Sequence, residues 1–234
     1  MASHDNGIHG ILSVRTVRIG LLLAAFIAAG ILSIDRGAGA RAETQKESDL
    51  AARLKPLSPR AQLDLLAQMR ADEPDNARIP FFMGNALYAL GKLDSATICF
   101  QKAAALDSMF SKAYVNLGLA LDAQGQFFGA EAAFKSALRA DPEDVLAHCH
   151  LGYLYYSRKK YSQAIDYYQS ALEIDPESAQ AHYYLGLAFA DAHIFAEALK
   201  EWEKVVSLEP DGELGQTAKE NVELIQQYLK LDTH

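Results

Sequence analysis

The chain has 234 residues, half of them apolar, with 15 Gly and 7 Pro, so it has the composition of a folded protein of one or two domains rather than a disordered one. Thirty acidic residues against 22 basic give a formal charge of −8. Such a chain lacks the basic patch that a phosphate backbone requires, and nucleic acid is not an expected partner.

The first segment is residues 1–42. Ile19 to Leu32 reads IGLLLAAFIAAGIL with no charge and no proline, Arg15 and Arg18 precede it, and Ala38-Gly39-Ala40 and Ala40-Arg41-Ala42 follow. A positive start, an apolar core and a small-residue exit form the layout of a secretory signal. Carried on to Ile34, the core is 16 residues, short of the about 20 that span a bilayer comfortably. That length favours a cleaved signal. With Val14 and Val17 added and Arg18 snorkelling, residues 14–34 also suit a tilted, uncleaved membrane anchor. In both versions the rest of the chain is expected outside the cytoplasm, periplasmic or membrane-anchored. From Ala42 onward 28 acidic residues face 18 basic ones, and this contrast marks a boundary.

Residues 43–57 are polar, and a linker with some helical character is expected there. Ser58-Pro59 reads as an N-cap followed by Pro at the first helical position. The helix it opens, over 58–76, carries Leu63, Leu66 and Met69 and stops near Glu73-Pro74, as a single capping helix or degenerate half repeat.

From Ala77 the chain matches itself when shifted by 34 residues, and such a period has to be read before any site is sought. Gly84, Gly118, Gly152 and Gly186 align, each after an apolar residue (Met83, Leu117, Leu151, Leu185). Three residues on stand Leu87, Leu121, Tyr155 and Phe189. Further columns hold Ala96, Ala130, Ala164 and Ala198, then Phe100, Phe134, Tyr168 and Trp202, then Ala103, Ala137, Ala171 and Val205. Ser108, Pro142, Pro176 and Pro210 close the units. Four units result: 77–110, 111–144, 145–178 and 179–212. In each, two apolar helical stretches flank a break, at Leu90-Gly91-Lys92, Gln124-Gly125-Gln126, Arg158-Lys159-Lys160 and Asp191-Ala192-His193. Gly and Ala suit a close crossing of two helices, and the aromatics fill the space those small residues leave. Asp141-Pro142, Asp175-Pro176 and Glu209-Pro210 stop the second helix, because a residue before Pro disfavours the α region. Residues 213–230 follow as an amphipathic helix with Leu214, Ala218, Val222, Ile225 and Leu229 on one stripe, the pattern of a terminal cap.

This order of columns resembles the tetratricopeptide-repeat family, over about four of its units. The opening column, usually Trp, here holds Pro80, Tyr114, His148 and His182, and the first unit ends in Ser108 rather than Pro. The resemblance implies an all-α, right-handed α-solenoid of helix-turn-helix repeats. It also implies a binding groove on the concave face, formed by the first helix of each pair. The residues it assigns to partner binding are Phe81, Asn85, Tyr88, Asn116, Leu119, Cys149, His150, Tyr153, Tyr156, Tyr183, Tyr184 and Leu187. Arg78, Lys112, Val115, Asp122, Leu146 and Gln180 face the same groove in this reading. One subclass clamps a terminal carboxylate with two Asn and three basic residues. Asn85 and Asn116 match its Asn, but Phe81, Leu146 and His150 stand where the bases belong, which argues against that clamp.

No phosphate loop, nucleophile elbow, dinucleotide fingerprint or His-Glu-x-x-His motif is present, so neither a catalytic residue nor a cofactor is expected. His148, Cys149 and His150 are adjacent on a helix and point about 100° apart, so they do not converge on a metal. Cys99 and Cys149 fall in units separated by a third, beyond the ~7 Å reach of a disulfide, and two free thiols are expected. The chain therefore reads as a non-enzymatic scaffold that holds a peptide or helix of a protein partner, in assembly of an envelope or membrane-associated complex. A self-associating structural spacer is the alternative.

Overall fold

The computed structural model describes residues 37–231, with side chains from Gln45 to Lys230. The chain divides into two compact units, Met1–Ser58 and Pro59–His234. Every regular element among the described residues is a helix. The expected signal or anchor lies outside them, and no described helix is long and apolar enough to cross a membrane.

In the first unit the described element is α1 (Gly37–Leu54). It crosses the boundary expected at 42/43 and fills most of the stretch expected as a linker. Its composition supports this: Ala, Glu, Gln, Lys, Arg and Leu dominate, all good helix formers. Gln45 Nε2 also donates to Asp49 Oδ1 one turn on at 2.8 Å.

The second unit holds α2 (Pro59–Asp72), α3 (Arg78–Ala89), α4 (Leu93–Leu106), α5 (Ser111–Ala123), α6 (Phe127–Ala140) and α7 (Val145–Tyr156). It continues with α8 (Tyr161–Ile174), α9 (Ala179–Asp191), α10 (Phe195–Leu208) and α11 (Glu213–Leu231). The pairs α3/α4, α5/α6, α7/α8 and α9/α10 stack in order, each second helix also packing on the next first helix. This is the all-α stack that the 34-residue period implied.

The crossing glycines show why each pair closes. A Cβ on Gly118 would lie 2.5 Å from the Phe134 ring and one on Gly186 2.5 Å from Trp202. Real side chains do not approach that closely, so the aromatic sits directly on glycine backbone. Ala96, Ala130, Ala164 and Ala198 lie beside these crossings with no exposed surface.

Each first helix ends in the same turn. Gly91, Gly125, Lys159 and His193 take φ between 59° and 73°. Lys92 N donates to Leu87 O and Gly91 N to Tyr88 O, both at 2.9 Å, and the other three units repeat the pair. This is the Schellman arrangement, which favours Gly at the left-handed residue. Second helices end on an acid, Asp107, Asp141, Asp175 or Glu209, and the three aspartates are extended. Asp107 Oδ1 accepts from Met109 N at 3.0 Å, as Asp141 does from Glu143 N at 3.2 Å. The first unit therefore makes the turn with Ser108 in place of Pro.

The opening column also has a job. His148 Nε2 donates to Pro142 O at 3.2 Å and His182 Nε2 to Pro176 O at 3.0 Å. Gln216 Nε2 does the same to Pro210 O at 2.9 Å. Gln216 is 34 residues beyond His182, so α11 takes the place of a fifth first helix and packs on α10 and α9. Gly215 permits this: a Cβ there would lie 1.7 Å from Glu209 O.

Candidate functional site

The first helices α3, α5, α7 and α9 offer the residues singled out from the sequence. Side chains three, four or seven apart share one helix face. On that basis Asn85 and Tyr88, then Asn116, Leu119 and Asp122, then Leu146 and Tyr153 form three aligned stripes on consecutive first helices. The repeat register places Asn85, Leu119 and Tyr153 in one row across the stack, and Tyr88 and Asp122 in another. All are half-buried except Leu146, which is 46% exposed. Asn116 Nδ2 donates to Asn85 Oδ1 at 2.7 Å, tying α5 to α3.

The other seven of the twelve expected contact residues are buried: Phe81, Cys149, His150, Tyr156, Tyr183, Tyr184 and Leu187. They hold the face rather than line it. Phe81 packs between Phe100 and Phe110, with centroids at 6.1 and 4.8 Å. Cys149 lies against Ala171 and Ala181; burial, with the nearby charges of Asp144 and Asp175, pushes its thiol up to about 12. His150 stacks on Phe134 at 5.5 Å, and burial pulls its imidazole down to about 4. Tyr156 donates to Asp191 Oδ2 at 2.6 Å. Tyr183 meets Asn221 of α11 at 3.5 Å. Tyr184 is wedged among Tyr153, Tyr168 and Tyr183, with centroids 5.7–6.1 Å apart.

His148, Cys149 and His150 thus face three different surroundings, a carbonyl, a small-residue core and an aromatic ring. Both thiols are free, Cys99 half-buried on α4 and Cys149 buried on α7.

The repeat is confirmed by comparison with known families. A tetratricopeptide repeat model matches residues 115–179 and 160–211, and a TPR repeat model matches residues 84–125. Together they span more than half of the chain. The chain belongs to the tetratricopeptide-repeat (TPR) family. Among solved structures, MamA residues 41 to the end from Desulfovibrio magneticus RS-1 is 24% identical, with a TM-score of 0.60 over 76% of this chain and 99% of that one. Another crystal structure of MamA is 22% identical, with a TM-score of 0.57 over 76% of this chain and 97% of that one. At such identity the likeness is one of fold. No curated protein matches the sequence.

Within this TPR stack the open part of the first-helix face belongs to the first three units. Two tyrosines there share a neighbour. Burial raises the phenols of Tyr88 and Tyr153, and the charge of Asp122 raises both further. The Asp122 carboxyl is itself raised by loss of water. Leu146 stands where a carboxylate clamp would need a base, and it adds an apolar anchor instead. A rigid, Tyr-bearing strip of this kind suits a segment of another protein, since tyrosine gives large contact area at low entropic cost. Asp122 was assigned to this face by the family resemblance, and its charge reaches both tyrosines.

Proposed function

We propose that the chain is a non-catalytic scaffold that holds a peptide or helix of a protein partner against the first-helix face of its first three TPR units. The observation that carries this reading is the strip of Tyr88, Leu119 and Tyr153, left half-open on a base of fully packed first helices. Their support is stiff: Tyr153 rests on Tyr184 and Asn116 is tied to Asn85, so little ordering is required when a ligand binds. The signal-like layout of residues 1–42 supports export, with the TPR stack serving assembly of an envelope or membrane-associated complex.

Photocrosslinking in the native host tests the face. A photoreactive residue at Leu119 of the full chain is expected to form a defined protein adduct, and one at Ile98, 65% exposed on the second helix α4, is not. Equal adducts at both, or none at Leu119, would refute the reading. Mass spectrometry of the mature N-terminus separates a cleaved signal from an anchor, and an intact terminus on cytoplasmic protein refutes export.

A second reading, self-association as a spacer, has one observation in its favour. Phe128 on α6 is 81% exposed and Met109 67% exposed. A concentration-independent monomer mass by sedimentation would set it aside.

A further inference from the structure

Away from the groove, the middle of the stack carries bases and an exposed aromatic ring together. Arg158, Lys159 and Lys160, in the turn between α7 and α8, are the one run of three consecutive bases in the chain, and all three are exposed. The Arg158 guanidinium lies 3.9 Å from the centroid of the Phe127 ring. Phe128, its centroid 5.4 Å from that of Phe127, is 81% exposed. Lys160 Nζ lies 5.6 Å from the Tyr155 ring. Along α6, Phe128, Ala132, Lys135 and Arg139 recur at helical spacing on one face, and all four are exposed. The acid beside them, Glu131, is engaged, accepting from Lys135 Nζ at 2.5 Å and from the Tyr155 hydroxyl at 2.7 Å. The charge of the stack is uneven in the same sense. Residues 77–160 hold nine bases and seven acids, whereas residues 161–231 hold four bases and 13 acids. Lys200 on α10 occupies the repeat column of Ala132, and Glu197, Glu201 and Glu203 are its neighbours there.

Bases around an exposed aromatic ring are the complement of an anionic surface that also has an apolar layer. A ring as open as Phe128 has little protein beside it, so it gives a peptide no walls to lie between. A bilayer interface needs none, because the ring enters the lipid while neighbouring Lys and Arg stay at the headgroups. We propose that α6 and the α7–α8 turn dock the stack on an anionic phospholipid surface. Phe128 enters the headgroup layer, and Arg158, Lys159 and Lys160, helped by Lys135 and Arg139, meet the lipid phosphates. The acid-rich residues 161–231 would be repelled by such a surface, which fixes the part of the stack that faces it. This docking does not depend on the first-helix groove, whose residues take no part in it.

The test uses the full chain with Cys99→Ser and Ala132→Cys, so that an environment-sensitive fluorophore reports from one turn beyond Phe128; Cys149 is buried and stays unlabelled. Vesicles of phosphatidylcholine alone, and of phosphatidylcholine mixed with phosphatidylglycerol, are added in turn. Emission should move to shorter wavelength with the anionic vesicles and hold still with the neutral ones, an arm that also subtracts whatever the apolar residues 19–32 do. Each base near an anionic surface adds about fivefold in affinity, so Arg158→Gln, Lys159→Gln and Lys160→Gln together should weaken docking about a hundredfold and abolish the shift. Salt at about 0.5 M should do the same to the unaltered bases, with no change in folding. Phe128→Ser should reduce the shift, and the fluorophore at Lys200→Cys should not respond. No shift, equal shifts with both vesicles, a shift that survives the triple change or salt, or an equal response at Lys200→Cys overturns the proposal. A shift that grows with protein concentration before lipid is added would point instead to a second copy, and an equal shift with polyglutamate to an acidic protein segment; either also overturns it.

Discussion

One buried histidine should make this stack weaker in acid. His150 is 8% exposed, stacked on Phe134, and burial lowers its imidazole from 6.5 to about 4. The unfolded chain binds a proton at His150 below pH 6.5, and the folded chain does so only below about 4. Between those values the unfolded state holds more protons, so stability falls as pH falls. Each pH unit across the window removes about 1.4 kcal/mol, giving about 3 kcal/mol in all, and the loss levels off below pH 4. The perturbation is His150→Phe, which keeps a ring against Phe134 and removes the titration. Its own packing cost does not depend on pH, so only the difference in slope matters. Urea unfolding of both proteins from pH 7.5 to 4 reads that difference directly. Glu131, whose carboxyl is lowered by hydrogen bonds from Lys135 and Tyr155, weakens both proteins alike in acid and cancels. Parallel curves for the two proteins would refute the reasoning, and would mean that the ring reaches water in the folded state.

Three further outcomes follow from the packing. Gly118→Ala should destabilise by about 3 kcal/mol in urea, because its methyl would overlap the Phe134 ring. Gly118→Ala combined with Phe134→Leu should recover part of the loss, and no recovery would show that the clash lies elsewhere. Lys159→Gly should stabilise by about 1 kcal/mol, since Lys159 holds a left-handed φ that Gly accepts without strain; a lower melting temperature would contradict this. Tyr168→Phe should leave stability unchanged or raise it by about 1 kcal/mol, because the buried Tyr168 hydroxyl has no hydrogen-bond partner and its removal relieves a desolvation cost. A marked loss on the same urea assay would reveal a partner for that oxygen.

Several features were legible only in part. The opening column was visible as Pro80, Tyr114, His148 and His182, but spacing does not say that two of these bond a proline carbonyl six residues back. His182 Nδ1 also reaches Glu201 Oε2 at 2.6 Å, whereas His148 Nδ1 is buried without a partner. Tyr167 stands where the fourth unit has Glu201, so the difference lies in a neighbouring helix and not in the histidine column. The polar stretch before Ser58 lacked the repeat signature and suggested a linker. Good helix formers fill α1 there, and its Leu50 and Leu54 are buried.

The 34-residue period by itself determined the helix pairs, their order and their crossing points, because glycine against an aromatic ring is a local and repeated steric condition. Only the tertiary structure decided which groove residues stay open. A first helix faces its own second helix, the preceding unit and the next one, and the sequence pattern does not show how much each neighbour covers. On α9 they cover residues 183–190 entirely, for α11 closes the stack where a fifth unit would begin. On α3, α5 and α7 the neighbours leave Tyr88, Leu119, Asp122 and Tyr153 partly in water. Burial is a sum over neighbours distant in the chain, and so the binding face emerges only when they are in place.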